Sequence, residues 1–276
     1  MSLSVNLIRK INTSLSLLRI AFSYASPITV IQTLLTPRFT KKTVTLFGKP
    51  FSFTDQASFL KTTDEIFLKK LYEYKSSTSQ PVIFDCGANI GLSVLFFKRM
   101  LPDATVIAYE PETETFEVLK ANTEAHNLSN VELHQAAVWT HDGSISFVQE
   151  GGESSHIVSE KDSSNTMSDE VKCVRLRTEL EKYESIDFLK IDIEGAEIEV
   201  VKDIAPVLSR CNNVFVEYHS FSGEPQQLSV IIDALAANGF RYKIQEAYVP
   251  KQPFLDKSTH ANGMDLQLNI FAYREA

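Results

Sequence analysis

Cysteine is scarce in this sequence. The 276 residues contain only Cys86, Cys173 and Cys211, which are far apart, odd in number and never spaced as a Cys-x-x-Cys pair. Small secreted proteins usually carry several disulfides, and cysteine zinc sites usually contain closely spaced pairs. We therefore expect neither a disulfide framework nor a cysteine zinc site. The expected location is a reducing compartment, the cytoplasm.

Positive charge is also in short supply. Lys and Arg number 27 against 35 Asp and Glu, which gives a net charge of -8 and a pI of about 5.3. Proteins that bind nucleic acid need clustered basic side chains to neutralise phosphates. The charge balance therefore argues against a nucleic-acid partner and suits a small neutral or cationic substrate.

Long apolar runs are missing as well. The uncharged stretch 20–35 has sixteen residues and is interrupted by Pro27, whereas a membrane-spanning helix needs about 20 apolar residues. Four apolar residues fall at helical spacing: Leu7, Ile11, Leu15 and Leu18. This spacing predicts an amphipathic helix used for packing or for an oligomer contact. The alternative is peripheral membrane contact through residues 1–35.

The rest of the chain divides into two patterns. Residues 41–55 alternate apolar and polar side chains around a turn, which predicts a β-hairpin, and residues 56–75 have a helical pattern. From residue 76 onward, short apolar strands alternate with amphipathic helices. Such alternation predicts an α/β fold with a mostly parallel, seven-stranded sheet flanked by helices. We therefore expect a helical and β-hairpin extension at residues 1–75 and one α/β domain at residues 76–276.

The first motif that carries chemistry is FDCGANIG, at residues 84–91. Parallel sheets bind ligands at the carboxyl ends of their strands, and glycine there lets the backbone approach a ligand closely. Gly87 and Gly91 lack the spacing that dinucleotide-binding proteins use for a pyrophosphate, which argues against a nicotinamide-dependent dehydrogenase. Asp85 would repel a pyrophosphate, but its carboxylate suits the ammonium group of a cofactor with an amino-acid tail.

Carboxylates follow two further strands. Glu110 ends the second strand, nineteen residues after Gly91, where a carboxylate accepts hydrogen bonds from the ribose of an adenosine ligand. The alternative is a favourable interaction with a helix dipole. Asp192 and Glu194 end the fourth strand, where they would favour a cationic cofactor and orient an acceptor hydroxyl. For Glu197, in the first turn of the next helix, the dipole is a sufficient explanation.

His219, at the end of the fifth strand, is the candidate general base for a hydroxyl acceptor. A lone histidine is more often structural, so that alternative stays open. Asp192, Glu217 and His219 end adjacent strands and would also suffice to hold a divalent cation. The metal is the less favoured interpretation, and no metal site is assigned.

Taken together, these motifs resemble the FkbM family of methyltransferases that use S-adenosylmethionine (SAM). The resemblance covers roughly residues 53–271 and is carried by FDCGANIG, AYEP, FLKIDIEGAE and VEYH, in that order. It implies a Rossmann-like class I methyltransferase fold with SAM as cofactor. It also implies O-methylation of a small-molecule or sugar hydroxyl in a polysaccharide, glycolipid or natural-product intermediate.

The motifs and the resemblance together define two sets of candidate residues. The candidate cofactor contacts are Asp85, Gly87, Asn89, Gly91, Glu110, Pro111, Ala136 and Asp192. The candidate catalytic residues are His219, Asp192 and Glu194, of which the two acids are expected near the transferred methyl group.

Two other functions stay open at this point. A nucleic-acid methyltransferase has the same fold, although the acidic charge opposes it, as does the lack of an Asn/Asp-Pro-Pro-aromatic motif after the fourth strand. The second open function is that of a non-catalytic module that binds SAM. The polar segments 149–170 and 250–264 are predicted to be substrate lids, with plain surface loops as the alternative.

Overall fold

The computed structural model describes residues 25, 27–150, 154–157, 168–250, 252, 254–255 and 263–275. The predicted amino-terminal amphipathic helix and most of the two predicted lids lie outside the described residues. The chain forms two compact units. The first contains residues up to 75 together with 88–102 and 114–129, and the second contains 76–87, 103–113 and 130–276. The predicted division into two consecutive domains stays a prediction.

The first unit combines helices with the predicted hairpin. Its strands are β1 (Lys42–Leu46) and β2 (Lys49–Phe53), which pair antiparallel as predicted. Its helices are α1 (Pro27–Leu34), α2 (Gln56–Thr63), α3 (Leu92–Met100) and α4 (Thr113–Ala125). A single π-helical turn, Asp64–Leu68, follows α2, so the helical region predicted at 56–75 ends earlier than expected.

Aromatic side chains pack the interior of the first unit. The rings of Phe53 and Phe59 stack with centroids 4.7 Å apart, which joins the hairpin to α2. The rings of Phe67 and Phe96 meet edge to face at 5.5 Å, which joins the π-helical turn to α3. Large rings bury much apolar area per residue, so these few contacts hold together a unit built from short elements.

A seven-stranded sheet dominates the second unit. Its strands are β3 (Val82–Cys86), β4 (Thr105–Tyr109), β5 (Val131–His134), β10 (Ile186–Ile191), β11 (Cys211–Phe221), β12 (Arg241–Tyr248) and β13 (Met264–Tyr273). The order across the sheet is β12-β13-β11-β10-β3-β4-β5. Strand β13 runs antiparallel to the other six strands, which are parallel to one another. This topology confirms the predicted mostly parallel sheet.

Buried apolar runs explain why the central strands form. Every residue of β10 is buried, as expected for a parallel strand that is covered on both faces. Helices α5 (Leu176–Glu181), α6 (Glu197–Ile204) and α7 (Leu228–Ala237) belong to the same unit. Val200, Val201 and Ile204 of α6 share one apolar core with α7 and the strands.

The second unit also holds a four-stranded sheet that the sequence did not predict. Its strands are β6 (Ala137–Trp139), β7 (Gly143–Glu150), β8 (Ser154–Ile157) and β9 (Ser168–Arg175), in the order β6-β9-β7-β8. Polar residues dominate β8 and the start of β9, so the alternation that marks a strand is weak there. Within the described residues, no helix is both long and apolar enough to cross a membrane.

Candidate active site

The predicted site residues of the second unit meet at one edge of its sheet. Gly87, Glu110 and Asp192 each follow a parallel strand, and His219 lies in the last part of β11. The Gly87 N–H donates to the Tyr109 carbonyl at 3.0 Å. Because parallel strands end at the same edge, these polar groups surround the place where open α/β sheets bind ligands.

Gly87 is required by the backbone around it. Its φ of +87° lies in the left-handed region, and an added Cβ would lie 1.8 Å from the backbone oxygen of Asp192. The Asp192 N–H in turn donates to the Cys86 carbonyl at 3.1 Å. The glycine therefore allows the turn after β3 to approach the end of β10, in addition to any role toward a ligand.

A buried lysine joins these two strand ends. Lys190 Nζ donates to the Gly87 carbonyl at 2.8 Å and lies 3.3 Å from Asp85 Oδ1 and 3.2 Å from Asp192 Oδ2. Lys190 and Asp85 also pair in register across β10 and β3, and both side chains are buried. A buried charge is costly unless it is paired, so the Lys190 ammonium group and the buried Asp85 carboxylate stabilise one another.

Lys190 was not among the site residues predicted from sequence. The available signal was a lysine inside the otherwise apolar run Phe188–Ile191, since a buried cation needs anionic partners. The ion pair also bears on Asp85, which was expected to hold an ammonium group of the cofactor. In the structure its carboxylate faces the ammonium group of Lys190. The predicted contact with the cofactor stays a prediction.

A second buried cluster surrounds His219. Its Nδ1 lies 3.0 Å from Glu197 Oε1, and both side chains are fully buried. Its Nε2 lies 3.2 Å from the amide nitrogen of Gln267 and 3.8 Å from Glu194 Oε2. The same Gln267 amide donates to Glu217. Glu197 and Gln267 were not among the predicted site residues, and Gln267 is the register partner of His219 across β11 and β13.

These contacts define the hydrogen-bonded state of the imidazole. In a neutral ring, an Nδ1–H that donates to Glu197 would leave Nε2 to accept from the Gln267 amide nitrogen, which can only donate. Burial by itself would lower the pKa of His219. The carboxylates of Glu197, Glu194 and Glu217 outweigh burial and raise that pKa well above its usual 6.5. The Nε2 lone pair of that neutral ring faces the Gln267 amide, so proton uptake at Nε2 requires the amide to turn away, whereas the nearby carboxylates stabilise the protonated ring.

Three candidate residues also come close enough to share a metal ion. Asp192, Glu194 and His219 each offer one ligand atom, and these atoms lie within 4.8 Å of one another. The set differs from the one considered from sequence, because Glu194 stands in place of Glu217. Lys190 Nζ lies 3.2 Å from Asp192 Oδ2 and already brings positive charge to that carboxylate. We assign no metal to this cluster.

The carboxylate after β4 is well placed for an adenosine ligand. Glu110 is almost fully buried, and its Oε1 accepts a hydrogen bond from the Glu112 N–H at 3.0 Å. Pro111 precedes α4 by two residues. Ala136 is buried, and its N–H donates to the His134 carbonyl at 3.0 Å. An oriented carboxylate after β4 can accept from ribose hydroxyls, and the acids after β10 can stabilise a sulfonium, so these groups fit SAM.

The remainder of the glycine motif belongs to the first unit. Asn89 has a left-handed φ of +48°, and its Oδ1 accepts from the Ile90 N–H at 2.7 Å. Gly91 has a φ of +90°, and an added Cβ would lie 2.7 Å from Leu119 Cδ1. Asn122 donates to the Ile90 carbonyl at 2.8 Å. The motif is therefore held by α4, and its contacts with the cofactor stay predictions.

Comparisons with known proteins identify the family of this chain. Residues 85–242 match the family described as "Methyltransferase FkbM domain". "Methyltransferase 1" of Beauveria bassiana is 30% identical over 161 residues, which is 51% of this chain and 65% of that protein. "Methyltransferase sdnD" of Sordaria araneosa is 30% identical over 202 residues, which is 61% of this chain and 78% of that protein.

A solved structure shows the same fold. The match to the SAM-dependent methyltransferase from Agrobacterium tumefaciens covers 87% of this chain and 72% of that protein, with a TM-score of 0.50 and 8% sequence identity. The fold is that of a class I SAM-dependent methyltransferase. Within that class, the chain belongs to the FkbM methyltransferase family, which confirms the resemblance seen in the motifs. Residues 85–242 thus belong to a SAM-dependent methyltransferase.

Proposed function

We propose that this protein methylates a hydroxyl oxygen of a small molecule or sugar, as an O-methyltransferase. The observation that carries the proposal is the buried pair of Glu197 and His219 beside Asp192 and Glu194. An alcohol must lose its proton when it accepts a methyl group, and a histidine supported by a carboxylate is suited to take that proton. The sugar class rests on the family resemblance alone.

The residues divide into a binding set and a reacting set. When bound, SAM supplies a methyl group on a positively charged sulfur. Glu110 accepts from the ribose hydroxyls, and the turn at Gly87 lets the backbone approach the cofactor. Asp85, Pro111 and Ala136 complete the proposed binding set of the second unit, and Asn89 and Gly91 stay predicted contacts of the cofactor.

The reacting set aligns the acceptor and removes its proton. Asp192 and Glu194 would orient the acceptor hydroxyl toward bound SAM, and such alignment supplies much of the rate enhancement. SAM would supply the methyl group and keep the carbon–sulfur bonding electrons, while Nε2 of His219 would receive the hydroxyl proton. Glu194 is 35% exposed whereas His219 is fully buried. We therefore propose that the proton of the acceptor hydroxyl reaches Nε2 either directly beside Glu194 or by transfer through the Glu194 carboxylate.

The proposal is tested by methyl transfer from radiolabelled SAM to a panel of methyl glycosides, with release of S-adenosylhomocysteine as a second readout. His219→Gln is expected to lower kcat by about 10²- to 10⁴-fold, the usual contribution of a general base. His141→Gln, which changes an exposed histidine of the same unit, is the matched control. Near-full turnover by His219→Gln would remove the base assignment, and labelling of amines or RNA instead of hydroxyls would replace the proposed function.

A further inference from the structure

From its place in the sequence, Glu197 was expected to be only a helix-start acid, yet in the structure it lies at the centre of the His219 cluster. It is the first residue of α6, and its carboxylate is fully buried. Its Oε1 lies 3.0 Å from His219 Nδ1, 3.2 Å from the Ile193 nitrogen and 3.0 Å from the Gly195 nitrogen. One carboxylate thus contacts both the imidazole and the turn between β10 and α6.

The turn that Glu197 holds carries Glu194. Glu194 has a left-handed φ of +52°, which is unfavourable for a residue with a side chain. The next residue, Gly195, has a φ of +101°, and an added Cβ would lie 2.8 Å from the ring of Phe221. Such a backbone persists only where its surroundings enforce it. The two N–H groups that flank Glu194 both donate to Glu197, so this carboxylate holds the turn on either side of Glu194.

We propose that Glu197 is a positioning residue that fixes the imidazole of His219 with its proton on Nδ1 and holds Glu194 beside Nε2. The link to catalysis rests on the proposed function, whereas the effect on the imidazole does not. Nε2 is then the atom that receives the proton of the acceptor. Glu197 touches neither the acceptor nor the reacting atoms in this scheme and acts through His219 and the turn.

The charges around His219 support this assignment. Glu197 faces it from α6, Glu194 from the turn, Asp192 from the end of β10, Glu217 from its own strand and the neutral Gln267 from β13. Burial opposes protonation, and of the carboxylates that raise the pKa of His219, Glu197 has the largest effect. Removing the charge of Glu197 while keeping its shape should therefore lower that pKa more than any comparable change nearby.

Nitrogen NMR of the full chain with ¹⁵N-labelled histidine tests the proposal without any acceptor. Loss of a signal in His219→Gln assigns the ring. In the wild type we expect the neutral ring to carry its proton on Nδ1. Glu197→Gln keeps the shape and a hydrogen-bond acceptor but removes the charge, and we expect the proton affinity of His219 to fall at least about tenfold, one pKa unit. Glu199→Gln, an exposed change on the same helix, should leave it unchanged.

A pH–rate profile connects the imidazole to the reaction. In Glu197→Gln the acid limb of kcat/KM should move to lower pH by the shift seen in NMR, because that limb reports the free enzyme's base. Glu197→Asp keeps the charge but shortens the side chain. It should retain the raised pKa of His219 and lower kcat through loss of the turn.

Distinct outcomes separate this proposal from the proposed function. An unchanged NMR titration in Glu197→Gln, or an Nε2–H ring in the wild type, overturns the positioning role even if His219→Gln is inactive. An NMR shift without a shift of the acid limb overturns the link from Glu197 to the reaction. If His219→Gln also keeps its turnover, the base assignment in the proposed function fails as well.

Discussion

Two buried clusters lie at the ends of neighbouring strands, and they differ in what their nitrogen atoms do. Lys190 on β10 places an ammonium group against two aspartates and a carbonyl. His219 on β11 places an imidazole between a carboxylate and an amide. The ammonium group pairs with carboxylates and connects the two strand ends, whereas an imidazole can gain and lose a proton. The Lys190 cluster therefore maintains the structure of the site, and the His219 cluster is suited to proton transfer.

Replacing Lys190 should have the largest effect on stability. Lys190→Met would leave Asp85 buried without its cation, and breaking a buried pair in this way costs about 3–5 kcal/mol. We expect a corresponding fall in the free energy of unfolding in urea. Lys202→Met removes an exposed lysine that pairs with Glu199 at 2.7 Å, and it should cost about 1 kcal/mol or less. Equal losses in the two variants would show that the Lys190 cluster does not maintain the fold.

The turn at Gly87 should be the next most sensitive point. In Gly87→Ala the new Cβ would meet the Asp192 backbone oxygen at 1.8 Å, so the ends of β3 and β10 must move apart. Gly223 has a similar φ of +96° with nothing near its Cβ position. Gly87→Ala should therefore cost about 1–3 kcal/mol more than Gly223→Ala and should weaken the rise in melting temperature that SAM produces. If both variants respond equally to SAM, close approach at Gly87 is not important.

The His219 cluster predicts a smaller, pH-dependent contribution to stability. Because the pKa of His219 is raised in the folded protein, the protonated ring contributes stability that is fully present below pH 6.5. That contribution is lost as the pH rises through the folded-state pKa. The difference in free energy of unfolding between wild type and His219→Gln should therefore shrink with rising pH. A difference that grows with pH would mean that burial, and not the surrounding carboxylates, governs this histidine.

The contrast between the clusters also explains what the sequence could predict. Gly87, Glu110 and Asp192 follow strands of a parallel sheet, and strand ends of such a sheet meet at one edge, so local patterns place them together. Lys190 and Gln267 depend on partners 103 and 48 residues away, which no local pattern reveals. Glu197 lies in the FLKIDIEGAE motif, but the local sequence around a helix-start carboxylate does not show whether it faces solvent or a buried histidine. The four-stranded sheet was missed because its strands carry few large apolar residues.

The most direct test of the central claim is the position of the methyl group in the product. Wild-type protein, SAM and the methyl glycoside panel should yield a product whose mass increases by one methylene and whose carbon NMR spectrum shows an O-methyl group. The yield should fall with the loss of His219. A methyl group on nitrogen or on nucleic acid, or no product while SAM still stabilises the protein, would contradict the account.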